Sequence, residues 1–372
     1  MKKNLKTPEQ RGERGATWRP LGALLAISVI LGGCVQVGPK ILSSGRPLYN
    51  VAVQESESQQ MLMNIVRQRY SDPVLFLDVT SISSGFRWEA NAGLFGTFNQ
   101  SGNDSALGQL GGSVSESPFI TYAPNTGESF VRQMLTPIDL RTIALIVQAG
   151  WSIERVLLIV GQSINEVRNS PAATDPETGF DRYREVVSAL RDLQRSGSLS
   201  VGAEAAKDSE EPDLMLMIDA DAVESSAYHL VCESINVACD GSPLQLRQAI
   251  GASSDGKTMA LATRSLFSAL YYLGQAIDVP EKDLAFGSAQ KSAVGATGKA
   301  DALHSLHSVF HIRSSESEPE RAAVKVFYRG SWFYIADNDA DSKTTFALIS
   351  LLHMLQSGET SKIAPLITLP VN

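Results

Sequence analysis

Eight consecutive residues, Gly251-Ala252-Ser253-Ser254-Asp255-Gly256-Lys257-Thr258, satisfy the spacing G-x-x-x-x-G-K-[ST] of a phosphate-binding loop. In such a loop main-chain amides cradle the phosphates, the lysine reaches the outer ones and the hydroxyl binds magnesium; a strand must precede it and a helix must open at the lysine. Here Met259, Leu261 and Thr263 alternate after the lysine. The segment therefore reads as a hairpin turn into a strand, and Gly251, Gly256, Lys257 and Thr258 are expected to bind no nucleotide. A run that could supply a magnesium-binding acid, Leu214 to Asp219, lies upstream of the loop and reverses the usual order.

Three further sets of residues invite chemistry. His304, His307 and His311 stand at i, i+3 and i+7, which on a helix would line one face and could hold zinc. A strand at 308–313 would instead turn Phe310 and Ile312 inward and His311 outward, and no acid or cysteine nearby in sequence completes the set, so no metal is expected. Asp337, Asp339 and Asp341 imitate the start of a calcium loop, but Ser342 stands where glycine is needed and Leu348 where the bidentate glutamate belongs. They read as a turn with Asp341 as a helix N-cap. Ser288-Ala289-Gln290-Lys291 matches the S-x-x-K of penicillin-recognising enzymes without the later motifs in order. No catalytic residue and no cofactor is expected.

The most specific signal is Leu31-Gly32-Gly33-Cys34, directly after the apolar run Leu21 to Leu31 and a basic leader containing Lys2, Lys3, Lys6, Arg11, Arg14 and Arg19. The apolar run is shorter than the roughly 20 residues a spanning helix needs. The segment resembles the lipobox of bacterial lipoprotein signal peptides. That resemblance implies cleavage before Cys34, acylation of Cys34 and attachment to a bilayer, with Val35 and Gln36 resembling proteins sent on to the outer membrane, on its periplasmic face. Such a location also separates the phosphate-loop-like segment from ATP. Two other cysteines, Cys232 and Cys239, form an even pair suited to an oxidising compartment. On an unbroken helix they would lie roughly 10 Å apart, so a disulfide needs the chain to turn near Asn236.

Removing residues 1–33 leaves 26 basic and 38 acidic side chains, a net charge of −12. This balance argues against nucleic acid as a partner. The remaining chain exceeds the usual size of a single core, and two lobes are expected. The divisions are a leader at 1–33, a Gly/Pro/Ser-rich flexible tether at 34–50, one lobe at 51–170 and another at 178–372, parted by the Pro- and Gly-bearing stretch Ser170 to Gly179.

Periodicity places helices at about 55–70, 128–135, 138–149, 152–168, 223–234, 265–277 and 342–356, with another marked by Tyr183, Val187, Leu190 and Leu193. Strands are expected at 74–79, 119–122, 198–203, 214–218, 308–313, 322–329, 331–336 and 365–370. Residues 86–98 alternate loosely and pass into Asn99 to Gly112, whose Gly, Asn and Ser content reads as a flexible excursion; 286–300 reads as a second. The interleaving without a repeat predicts an α+β fold with mainly antiparallel strands.

Asn64-Ile65-Val66-Arg67 through Asp72-Pro73, then Ile120-Thr121-Tyr122-Ala123-Pro124 with Gly127 and Phe130, and Trp332-Phe333-Tyr334-Ile335, are similar to segments of uncharacterised bacterial envelope proteins. The resemblance implies a shared architecture and supplies no activity. The expectation is a membrane-anchored, non-enzymatic lipoprotein that binds another envelope protein, with Trp88, Phe95, Phe98 and Tyr122 as candidates for its docking face. The alternative is a periplasmic enzyme or ligand-binding protein whose Asp219, Asp221 and Glu224 converge in a cleft between lobes.

Overall fold

A computed structural model describes residues 37–97, 105–125, 127–169, 179–204, 212–251, 255–289 and 306–357. The chain divides into two compact units, Met1–Ser56 and Glu57–Asn372. In the first, residues 37–56 are helical, part of helix α1, Val37–Arg69, which contains Pro47. The flexible tether expected at 34–50 is therefore helix from Val37 onward. Extending an existing helix costs far less than nucleating one, which lets the segment override its Gly and Pro content. In the second unit α1 buries Met61, Leu62, Ile65 and Val66, the spacing of one helical face.

The fold is α+β. After α1 come strands β1, Leu77–Thr97, and β2, Ser105–Pro124, then helices α2, Glu128–Leu135, α3, Leu140–Gln148, and α4, Ile153–Val160. Short strands β3, Gly161–Ile164, and β4, Val167–Arg168, lead to helix α5, Gly179–Arg195. Strands β5, Leu199–Glu204, and β6, Asp213–Ile218, precede helix α6, Ser226–Ile235. Strands β7, Leu244–Gln248, and β8, Thr258–Thr263, are followed by helices α7, Leu266–Gly274, and α8, Glu281–Phe286. Strands β9, Arg313–Ser315, β10, Ala322–Tyr328, and β11, Ser331–Ala336, end at helix α9, Ala340–Ser357.

Among the described residues three sheets result. The largest runs β4-β3-β8-β7-β6-β5 and is antiparallel except where β7 meets β8. A three-stranded antiparallel sheet runs β10-β11-β9, and among the described residues β1 pairs only with β2. Strand β3 lies within the expected first lobe and β8 within the second, yet they are hydrogen-bonded neighbours. One buried apolar cluster runs from Met61 to Leu352. Residues 51–170 and 178–372 therefore share one sheet and one core and do not form separate lobes.

The expected helix at 152–168 stops at Val160. Ser152 caps it, accepting from the Arg155 amide. At its other end a Cβ on Gly161 would stand 2.1 Å from the Tyr183 hydroxyl and 2.6 Å from the Leu157 carbonyl, so glycine is required where the chain turns into β3. Arg264 is buried beside this helix end. Its guanidinium donates to the carbonyls of Gly161 at 2.6 Å and Ile159 at 3.1 Å and lies 4.0 Å over the Tyr272 ring. Main-chain carbonyls at a helix C-terminus carry partial negative charge and offset the buried cation.

Among the described residues no helix is long and apolar enough to cross a membrane. The terminal strand expected at 365–370 lies outside them.

Candidate functional site

The phosphate-loop-like segment has a different local structure. Residues 252–254 lie outside the described set. Asp255 Oδ1 accepts from the amides of Lys257 at 2.9 Å and Thr258 at 3.0 Å, while its Oδ2 accepts from the Thr258 hydroxyl at 2.7 Å. Gly256 takes a positive φ of 64°, and Lys257 leads into β8 instead of a helix. The Lys257 and Thr258 amides and the Thr258 hydroxyl, which would meet phosphate and magnesium, are engaged by Asp255.

The histidines gain an acid that is remote in sequence. Ile312 N–H donates to Ala276 O at 3.1 Å and Asp278 N–H donates to Ile312 O at 2.9 Å, tying the two segments together. His311 Nε2 and Asp278 Oδ2 are then 2.7 Å apart. Residues 306–309 form a helical turn instead of a strand, and the His307 and His311 rings stack with centroids 4.3 Å apart. Donor atoms of Asp278, His307 and His311 lie within 4.8 Å of one another. Two imidazoles and a carboxylate match the protein donors of an open zinc site, with a position left for water. His304 lies outside the described residues.

The Asp337, Asp339 and Asp341 carboxylates have separate structural partners. Asp339 accepts from the Ser342 amide and hydroxyl, making it the cap residue in place of Asp341. Asp341 Oδ1 meets Arg155 at 2.5 Å, and Asp337 meets Lys343 at 3.2 Å. Ser288 donates to the Asp283 carbonyl at 3.1 Å. Asp219, Asp221 and Glu224 are exposed around the short turn Ala220–Ala222, not gathered in a cleft.

Cys34 lies outside the described residues. Cys232 and Cys239 are both free thiols. Helix α6 ends one turn after Cys232, with Asn236 left-handed at φ 55°, ψ 56°, which brings Cys239 back toward it. Burial, and then a hydrogen bond to Cys239, push the Cys232 thiol up to about 12. The thiolate, which is the reactive form, is thereby suppressed at neutral pH.

The largest departure from the sequence reading is the β1–β2 ribbon. The expected excursion at 99–112 ends at Asp104 at the latest, since Ser105 onward pairs with β1 in register from Thr97↔Ser105 to Leu77↔Pro124, with a bulge between Val79 and Ser81. Its base is held by α1. Asn64 donates to the Leu75 carbonyl and accepts from the Leu75 amide, and Gln60 does the same for Leu77. Leu77, Ile82, Phe119, Ile120 and Tyr122 near that base are exposed. Phe98 and the side chains of Trp88 and Phe95 lie outside what is described. The loose alternation through residues 86–98 was the part of the sequence that pointed toward strand here.

No family model, no curated protein and no solved structure matches the chain.

Proposed function

We propose that this chain is an envelope lipoprotein, held at a membrane surface by an acylated Cys34, whose body binds another protein instead of turning over a substrate. The reading is supported on the anchoring side by Leu31-Gly32-Gly33-Cys34 behind its basic and apolar leader. The observation that carries the binding side is the ribbon. Among the described residues β1 and β2 pair with no strand but each other, so each presents one edge of main-chain donors and acceptors. Such edges are templates for pairing with another chain. Exposed Phe119, Ile120 and Tyr122 on β2 add apolar area beside that edge, of the kind that marks interaction surfaces. With a mature net charge of −12, nucleic acid is a poor partner.

The test is crosslinking in intact cells, recovery from solubilised membranes and mass spectrometry of what copurifies. A protein in fixed stoichiometry, together with release of Cys34→Ala into the soluble fraction, is the expected result. A clean monomer, or a Cys34→Ala protein still bound to membranes, would overturn the binding or the anchoring half respectively.

A further inference from the structure

The acid whose absence from the local sequence argued against a metal is supplied by the fold. Val309 and Phe310 close a helical turn on the Leu306 carbonyl, at 3.1 and 2.8 Å. His307 and His311 stand four residues apart across it, the spacing that puts two imidazoles on one side of a helix in zinc motifs. Asp278, 33 residues upstream of His311, brings its carboxylate to the His311 imidazole. The main chain beneath these side chains is pinned from several directions. Ile312 N–H donates to the Ala276 carbonyl and Asp278 N–H to that of Ile312. The His311 amide donates to Ser342 Oγ at 2.9 Å, and the Val309 carbonyl accepts from the Thr345 hydroxyl at 2.6 Å. Leu306, Phe310 and Ile312 are buried.

We propose that Asp278, His307 and His311 hold one divalent transition-metal ion, Zn²⁺ by preference, which leaves a coordination position open to solvent and locks the turn 306–312 to residues 276–278. The inference is independent of the anchor and of the ribbon, and adds a site to the body that neither requires. The donor set selects the ion: imidazole nitrogen suits zinc, whereas Ca²⁺ and Mg²⁺ take oxygen. Access is open, since the Asp278 side chain is 45% exposed and that of His311 23%. The guanidinium of Arg155, which approaches the Val309 carbonyl from the other side, is neutralised by Asp341.

The ligands need only side-chain movement to close on the ion. His311 Nε2 and Asp278 Oδ2 are 2.7 Å apart. Donors about 2.0–2.2 Å from a tetrahedral ion are about 3.3–3.5 Å from one another, so this pair parts by about 0.6 Å. The His307 and His311 rings, stacked 18° from parallel, swing so that their lone pairs converge. The pinned main chain carries both changes, and the His311–Asp278 hydrogen bond is exchanged for two metal bonds. Ligands mounted on a fixed backbone lose little entropy when they bind.

The test uses the full chain extracted in detergent, purified without a polyhistidine tag and stripped with chelator. Equilibrium dialysis with elemental mass spectrometry should find one Zn²⁺ per chain, not displaced by millimolar Ca²⁺ or Mg²⁺. His307→Ala and Asp278→Asn should each weaken binding at least about tenfold. Asp278→Asn keeps the size of the side chain and its hydrogen-bonding reach to His311, so its fold is checked by an unchanged circular dichroism spectrum. Cys232→Ser with Cys239→Ser should leave binding within about twofold, because those thiols take no part. On the wild-type chain, Zn²⁺ should slow hydrogen exchange of the amides 306–312 and leave those of α6 unchanged. Absence of bound zinc, zinc retained by both ligand variants, zinc lost with the two cysteines, or displacement by Ca²⁺ or Mg²⁺ would each overturn the site. Zinc bound at these ligands without slower exchange at 306–312 would overturn the locking role.

Discussion

The Asn64 carboxamide donates to the carbonyl of Leu75 at 2.7 Å and accepts from its amide at 3.0 Å. One helical turn earlier, Gln60 repeats the arrangement on Leu77, at 3.2 and 2.7 Å. Two side chains four residues apart on a helix thus mimic a partner strand for two residues two apart on an extended chain. Asn64 is fully buried. Asn64→Ala would leave the Leu75 donor and acceptor without these bonds, and should lower stability by about 2–3 kcal/mol in urea unfolding. A loss below about 0.5 kcal/mol would mean that α1 does not fix the ribbon base.

Burial holds the His353 imidazole below its ordinary pKa, and its ring stacks on Phe76 with centroids 4.5 Å apart. Unfolded histidine takes up its proton near about pH 6.5, the folded one only at lower pH. Below pH 6.5 the unfolded state therefore binds more protons, and stability is lost as pH falls toward the folded value. Asp72, held low by the Tyr328 hydroxyl and by Arg329, pulls the same way only below about pH 4. Between pH 7.5 and 5.5, His353→Gln should lose less melting temperature than wild type; equal losses would exclude His353 as the cause.

Oxidation should join Cys232 to Cys239. Protein recovered from an oxidising compartment is expected to weigh two hydrogens less without reductant than with it, and to gain about 2 kcal/mol of stability from the closed loop. Two thiols that alkylate after denaturation of the unreduced protein would refute this bond.

The Asp278, His307 and His311 donors should take up Zn²⁺. Saturating zinc at about 100 times its dissociation constant would add roughly 2.7 kcal/mol. A zinc-dependent rise in melting temperature, absent in His307→Ala and in Asp278→Asn, is the expected result. A rise that survives both substitutions places the ion elsewhere, and no rise leaves Asp278 as a structural tie to His311.

In the phosphate-loop-like turn, Asp255 rather than Lys257 should matter. Asp255→Ala removes three accepted hydrogen bonds and should cost about 1–3 kcal/mol, whereas Lys257→Ala should change stability by under about 0.5 kcal/mol. Nucleotide-dependent stabilisation lost in Lys257→Ala would contradict the turn reading.

Much of the fold was legible where amphipathic periodicity acts alone. The helices at Glu128–Leu135 and Leu140–Gln148 and the Ala322–Ala336 hairpin fall close to their expected spans. Three features were not legible, each for a physical reason. Residues 105–112 are strand, but their glycines, alanine and serine read as loop by composition, because small residues suit a sheet face only once pairing is known. Ile164 and Val167 after Val160 continue the helical spacing, and the close approach to Gly161 of Tyr183, a residue 22 positions on, cannot be read from it. Asp278 joins His307 and His311 through the tertiary bridge Ile277↔Ile312, which no local spacing reveals. The supposed lobes merged for the same reason, since β3–β8 pairing is non-local.

The ribbon is proposed as the place where another chain binds. A photocrosslinking residue placed in intact cells at Ile120 or Tyr122, both exposed near the ribbon base, tests this against one at Tyr271, exposed on α7. A single discrete adduct from the ribbon positions, and none from Tyr271, is the result predicted. Adducts from Tyr271 alone, or none from any of the three, would contradict it.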